Sequence, residues 1–208
     1  MILRAAAEQV AAVGLRRTTL TDVARRAGVS RMTVYREYGD APALIRALLT
    51  ESIGQVVLGA DKDARALPTT RERLVESVVL TVDRLAEHPM MSRVLELDPE
   101  LLMPFVTDRF GSGQRLGLEH LRGQLRRGIE DGSIRELEVA DAARLILLTA
   151  QSVIFSSQMV EEPASPADQP RSDSGAHVDA ASDPPRSTGA RLGEQLRSML
   201  DAYLRSNP

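Results

Sequence analysis

The chain has 208 residues, a formal net charge of -3, and 43% hydrophobic but only 3% aromatic residues. That is enough apolar material for one sizeable domain or a small unit joined to a larger one, with a core of Leu, Val, Ile, Ala and Met, a mixture that favours packed helices over sheets. The absence of cysteine excludes disulfides, thiolate nucleophiles and cysteine-based zinc sites, and with them a bridged secreted scaffold.

Charge is unevenly placed. Residues 1–50 hold eight arginines against four acidic residues, a net of +4, which leaves -7 on the remainder. A basic N-terminal part on an acidic body suits a polyanionic partner.

The first predicted element, "ILRAAAEQVAAVG", is a helix stopped by Gly14. It lacks a basic leader followed by a long apolar run, so no signal peptide is expected and the expected compartment is the cytoplasm. Next, "TLTDVARRAG" begins at Thr19, with Asp22 three residues on, and stops at Gly28. In "VSRMTVYREYG", Ser30 is the expected N-cap and Gly39 the stop; Asp40 then caps a fourth helix through "LIRALLTESIGQVV". Leu20, Val23, Ala24 and Ala27 recur at helical spacing, Gly28 permits a sharp turn, and Val29 plugs the angle between the two helices. That is the pattern of a helix-turn-helix. Its second helix buries Val34 and Tyr38 and turns Ser30, Arg31, Met32, Thr33 and Arg36 outward.

Beyond this unit, "TTRERLVESVVLTVDRLAEHP" predicts one amphipathic helix, and "MMSRVLEL" and "DPELLMPFV" two short ones, the second capped by Asp98 with Pro99 at its first position. "DRFGSGQRLGLEHLRGQLRRGIEDG" predicts a longer helix ending near Gly132. Val139–Val160 has the length of a bilayer-crossing helix, but Asp141, Arg144 and Gln151 interrupt it and no basic cluster flanks it, so a helix buried in protein is expected. Residues 161–189 contain five prolines, five serines and only Val178 among aliphatic side chains larger than Ala, which predicts a flexible loop. A final helix follows at Ala190–Leu204. No segment competes as a strand.

The stretch "TTLTDVARRAGVSRMTVYREYGDAPALIRALL" resembles, almost position by position, the head motif of the tetracycline-repressor family (TetR/AcrR-like) of bacterial transcriptional regulators. The resemblance covers residues 2 to about 50; beyond them only the order and length of helices match. It implies an all-α homodimer of about nine helices. A helix-turn-helix domain at 1–48 would bind operator DNA, and a body at 49–208 would bind a small-molecule effector and dimerise through Val139–Val160 and Ala190–Leu204. By the same resemblance Thr19, Ser30 and Tyr35 correspond to phosphate anchors, and Arg31, Met32, Thr33 and Arg36 to residues facing bases. Two positions depart from the family: Glu37 stands where His is usual, and Ala41 and Pro42 where a lysine usually grips phosphate. Glu37 is therefore expected to pair with an arginine or accept from a cytosine amino group, and the phosphate grip to shift to Arg17.

An enzyme is the main rival. The histidines at 88, 120 and 177 are scattered, neither a metal triad nor a nucleophile-base pair follows from their spacing, and "GSGQRLG" lacks the lysine and preceding strand of a phosphate loop. No catalytic residue, metal or cofactor is expected. The second rival is a helix-turn-helix protein without an effector. Against it stands the apolar, proline-punctuated run around "VLELDPELLMPFVTDRF", where Leu95, Leu102, Met103, Val106 and Phe110, with Phe155, are candidates to line a cavity for an apolar or lipid-like effector. Taken singly, each is more readily interpreted as core.

Overall fold

The computed structural model describes residues 1–89, 112–156 and 188–206. Eight α-helices account for most of them: α1 Ile2–Val13, α2 Leu20–Ala27, α3 Arg31–Tyr38, α4 Ala41–Ala64, α5 Thr70–Ala86, α6 Ser112–Glu130, α7 Val139–Ser156 and α8 Thr188–Leu204. Among the described residues the only β pairing is one isolated bridge, Ile134 to Arg205. The all-α expectation holds. The two short helices expected at 90–106 and most of the loop expected at 161–189 lie outside the described residues. The last helix starts at Thr188 rather than Ala190, so the final two residues of the expected loop are helical.

Buried side chains fall into two clusters. The first joins Ile2, Ala5, Ala6 and Val10 of α1 to Val23, Ala24 and Ala27 of α2, Val34 of α3, and Leu44, Leu48 and Leu49 of α4. The second is built on Leu74, Val75, Val78, Val79, Val82 and Leu85 of α5, which meet Leu118, Leu121 and Leu125 of α6, Ala142, Ala143 and Ile146 of α7, and Leu196, Leu200 and Leu204 of α8. A fully buried leucine contributes about 2 kcal/mol through removal of its apolar surface from water, so each cluster can hold its helices together. α5 is the hub of the second cluster, packing against α4, α6, α7 and α8.

α4 crosses from one cluster to the other. Its first turns bury Leu44, Leu48 and Leu49 with α1–α3, while Ile53 and Val56 pack against the α5 cluster. By length and composition alone α4 would suffice to cross a bilayer, but both ends are occupied by protein contacts. Near its C-terminus Asp61 accepts a hydrogen bond from Gln124 Nε2 at 2.7 Å and lies 3.5 Å from His120 Nε2, linking α4 to α6.

Two ion pairs fasten the N-terminal half of α5 to the C-terminal half of α8. Arg71 pairs with Asp201, and Arg197 with Glu76. The turn after α6 is held against the end of α8 by Arg135 N donating to Leu204 O at 3.0 Å and Arg135 Nε to Tyr203 O at 2.7 Å. This turn also explains one glycine of α6: a Cβ on Gly128 would fall 2.3 Å from Ile134 Cδ1, closer than two non-bonded carbons can stand.

Candidate nucleic-acid interface

The α2-turn-α3 unit is specified by short-range chemistry. Thr19 caps α2, its hydroxyl oxygen accepting from Asp22 N at 3.1 Å while its hydroxyl donates to Asp22 Oδ2 at 2.6 Å. Asp22 is held below the usual carboxylate range first by that hydroxyl, with Arg25, 2.7 Å away, adding to the effect. At the other end Gly28 adopts φ 67 and ψ 28, the left-handed region that glycine enters without steric cost. Gly28 N bonds to Arg25 O at 3.3 Å and Val29 N to Ala24 O at 3.0 Å, the paired closure of a Schellman turn. The chain therefore turns within two residues, and Ser30 starts α3 by accepting from Thr33 N at 3.0 Å.

α3 is anchored by Val34, which is fully buried. Tyr38 lies partly buried on the same side, its hydroxyl pushed up to about 12 by burial first and then by the neighbouring Glu37 carboxylate. Glu37 is exposed, and among the described residues it forms none of the arginine ion pairs expected for it. The opposite side of α3 is open to solvent. Met32 is 67% and Tyr35 57% exposed, with Arg31 and Arg36 also exposed and Thr33 at the boundary.

The expected anchor residues divide into two kinds. Arg17 is exposed in the turn before α2, directed outward because the adjacent Thr18 is buried with its hydroxyl donating to Gly14 O at 2.8 Å. Thr18 is a positioning residue that sequence reasoning missed; the only signal was its place in "RRTT". Thr19 and Ser30 are exposed as expected, but their hydroxyls serve the helix starts: Thr19 donates to Asp22, and Ser30 Oγ lies 2.9 Å from Thr33 Oγ1. Among the described residues Arg17, Arg31 and Arg36 form no ion pair, whereas Arg25 pairs with Asp22, and Arg4 and Arg26 with Glu8. Among the described residues the exposed arginines without an ion pair thus include Arg31 and Arg36 on α3 and Arg17 before α2, whereas Arg25 is paired within α2 and Arg4 and Arg26 with Glu8 of α1.

The expected cavity residues Leu95, Leu102, Met103, Val106 and Phe110 lie outside the described residues, as does the side chain of Phe155, whose backbone belongs to α7.

An exposed helix held by a capped turn, bearing unpaired arginines on a head of net charge +4, is suited to the major groove of duplex DNA. Comparison with known proteins agrees. Residues 2–48 match the family of bacterial regulatory proteins of the tetR type. An uncharacterised HTH-type transcriptional regulator of Mycobacterium tuberculosis H37Rv is 37% identical over 160 residues, covering 77% of this chain and 82% of the relative. The fatty acid metabolism regulator protein of Bacillus subtilis is 25% identical over 162 residues, 77% of this chain and 84% of that protein. In fold, the chain is similar to the Bacillus subtilis regulator FadR in complex with stearoyl-CoA (TM-score 0.62, 21% identity, 98% of both chains). It is also similar to a TetR-family regulator of Pectobacterium atrosepticum (TM-score 0.68, 16% identity, 100% of this chain and 93% of that one). The chain belongs to the TetR family of bacterial regulatory proteins: it is a DNA-binding transcriptional regulator, not an enzyme.

Proposed function

We propose that this regulator is a cytoplasmic repressor that binds a near-palindromic operator as a homodimer and leaves it when a small apolar or lipid-like effector binds the body. The DNA-binding domain spans 1–48 and the effector and dimerisation domain 49–208.

The observation that carries this reading is a set of large apolar side chains left open to solvent on α7 and α8. Leu145 and Leu148, one turn apart on α7, and Met199 on α8 are each about half exposed. Three large aliphatic side chains on two neighbouring helices mark a protein-protein surface, and a second copy of the same chain meets such a face through a two-fold axis. Two α3 helices related by that axis call for an operator with inverted half-sites. Support for the effector class comes from the apolar composition of 95–110 and from the stearoyl-CoA bound by the similar FadR.

Fluorescence anisotropy on a duplex enriched from a random pool, titrated with stearoyl-CoA, free stearate and a hexadecane dispersion, tests the proposal, with a thermal melt in parallel. An effector must raise the melting temperature and lower DNA affinity together, because a ligand that binds one state stabilises that state and is coupled reciprocally to DNA. DNA binding indifferent to every apolar ligand would favour a helix-turn-helix protein without a small-molecule effector.

A further inference from the structure

The angular arrangement of α3 assigns different tasks to side chains that the sequence placed together. An α-helix advances about 100° per residue. With Val34 fixed at the centre of the buried face, Met32 and Arg36 stand about 160° from it on either side, so these two residues form the crest pointing away from the protein. Thr33 and Tyr35 lie about 100° from Val34 on opposite flanks, and Arg31 only about 60° away. The exposures agree: Met32, at 67%, is the most exposed of the large hydrophobic side chains of α2 and α3.

A methionine on the crest of a groove-entering helix is chemically selective. Its thioether has no hydrogen to donate and accepts only weakly, so it cannot read guanine, adenine or cytosine through their polar edges. One apolar group is presented in the major groove, the C5-methyl of thymine. Burying an exposed methionine against that methyl removes apolar surface from water on both sides. Arg36, one turn further along the same crest and free of ion pairs among the described residues, supplies the fork that matches guanine O6 and N7. The two side chains leave the helix about 6 Å apart along its axis, close to two base-pair steps of about 3.4 Å.

Resting on the reading of α3 as the groove-entering helix, we infer that Met32 reads the C5-methyl of one thymine in each operator half-site, within about two steps of a guanine read by Arg36. Thr33 is the competitor, since it also carries a methyl group. Its position on the flank and the contact of its hydroxyl with Ser30 direct it toward the start of the helix instead.

The test uses full-length protein and duplexes enriched from a random pool, with each thymine replaced singly by deoxyuridine, which keeps every hydrogen-bonding edge and removes only the methyl. At one thymine per half-site the wild-type protein loses affinity about fourfold, the factor that burial of one methyl group supplies. Met32→Ala and Met32→Gln bind that thymine and its deoxyuridine counterpart equally, whereas Arg36→Ala retains the preference while binding more weakly. The assignment is overturned if no thymine is methyl-sensitive, if Met32→Ala still discriminates, or if Thr33→Ser abolishes discrimination in its place. If no duplex is enriched at all, the underlying reading of α3 fails along with it.

Discussion

The two apolar clusters are built by different means. In the first, helix ends are set by neighbours three or four residues apart: Thr19 with Asp22, Ser30 with Thr33, Asp40 with Ala43, and glycines at 14, 28 and 39. In the second, longer helices are held by partners far apart in sequence, such as Arg71 with Asp201, Arg197 with Glu76 and Asp61 with Gln124. Local contacts thus predominate around the first cluster and long-range ones around the second, although α5 too starts with a local capping box, Thr69 with Glu72.

The largest test of this contrast is to open a void in each cluster. Leu44→Ala and Leu125→Ala, both at positions with 0% exposure, should each cost about 2–5 kcal/mol, read by chemical denaturation. Leu44→Ala should abolish DNA binding yet leave a dimer by sedimentation, and Leu125→Ala should weaken the dimer as well. Loss of the dimer in Leu44→Ala would erase the distinction between the clusters.

Two glycines sharpen it. Gly128→Ala forces a Cβ into Ile134 and should cost about 1–3 kcal/mol through overpacking, with partial rescue when Ile134→Ala is added. Gly28→Ala meets no atom within 4 Å, so its cost of about 1–2 kcal/mol comes from the left-handed backbone alone and no second-site change in packing should restore it. Thermal melts of the three variants and the double variant distinguish the two mechanisms.

Within the head, Arg36→Ala should weaken binding to the enriched operator by about 1–3 kcal/mol and leave scrambled DNA nearly unaffected. Arg17→Ala should weaken both alike and reduce the salt slope by about one. Arg31→Ala, only about 60° from the buried centre of α3, should fall between them. Equal effects of all three variants on both duplexes would reduce α3 to a charged surface without sequence readout.

The smallest effect is expected from removing Pro163–Ser187 and joining its ends with a short Gly/Ser link. The segment's composition offers little apolar surface to bury, so stability should change by no more than about 0.5 kcal/mol, read from the melting temperature. The deletion ends before Thr188 because α8 begins there.

The same contrast explains what was legible. Gly28 and Ser30 reveal a turn because their partners are within five residues, so the helix-turn-helix and its exposed face follow from "RRAGVSRMTVYREYG". The end of α4 does not: "LGADKDARAL" carries no obvious stop, and the helix runs on to Ala64 because Ala60 and Ala64 are buried. Nor does Gly128, which reads as a helix-weakening residue until Ile134 is found against it. The division of α3 into crest and flanks was also out of reach while Ser30, Arg31, Met32, Thr33 and Arg36 were treated as one outward set, since only the full burial of Val34 fixes the helix's rotation.

α4 spans 24 residues, about 36 Å at 1.5 Å per residue, with the reading head gripping one end and the body the other. Such a rod acts as a mechanical amplifier. A tilt of about 5° about its Ala64 end sweeps the Asp40 end through about 3 Å, nearly one base-pair rise. In the proposed dimer the two rods would swing in opposite senses and double the error in half-site spacing. A disturbance around Asp61 and Gln124 no larger than the displacement of one side chain would then put the two α3 helices out of step with the groove.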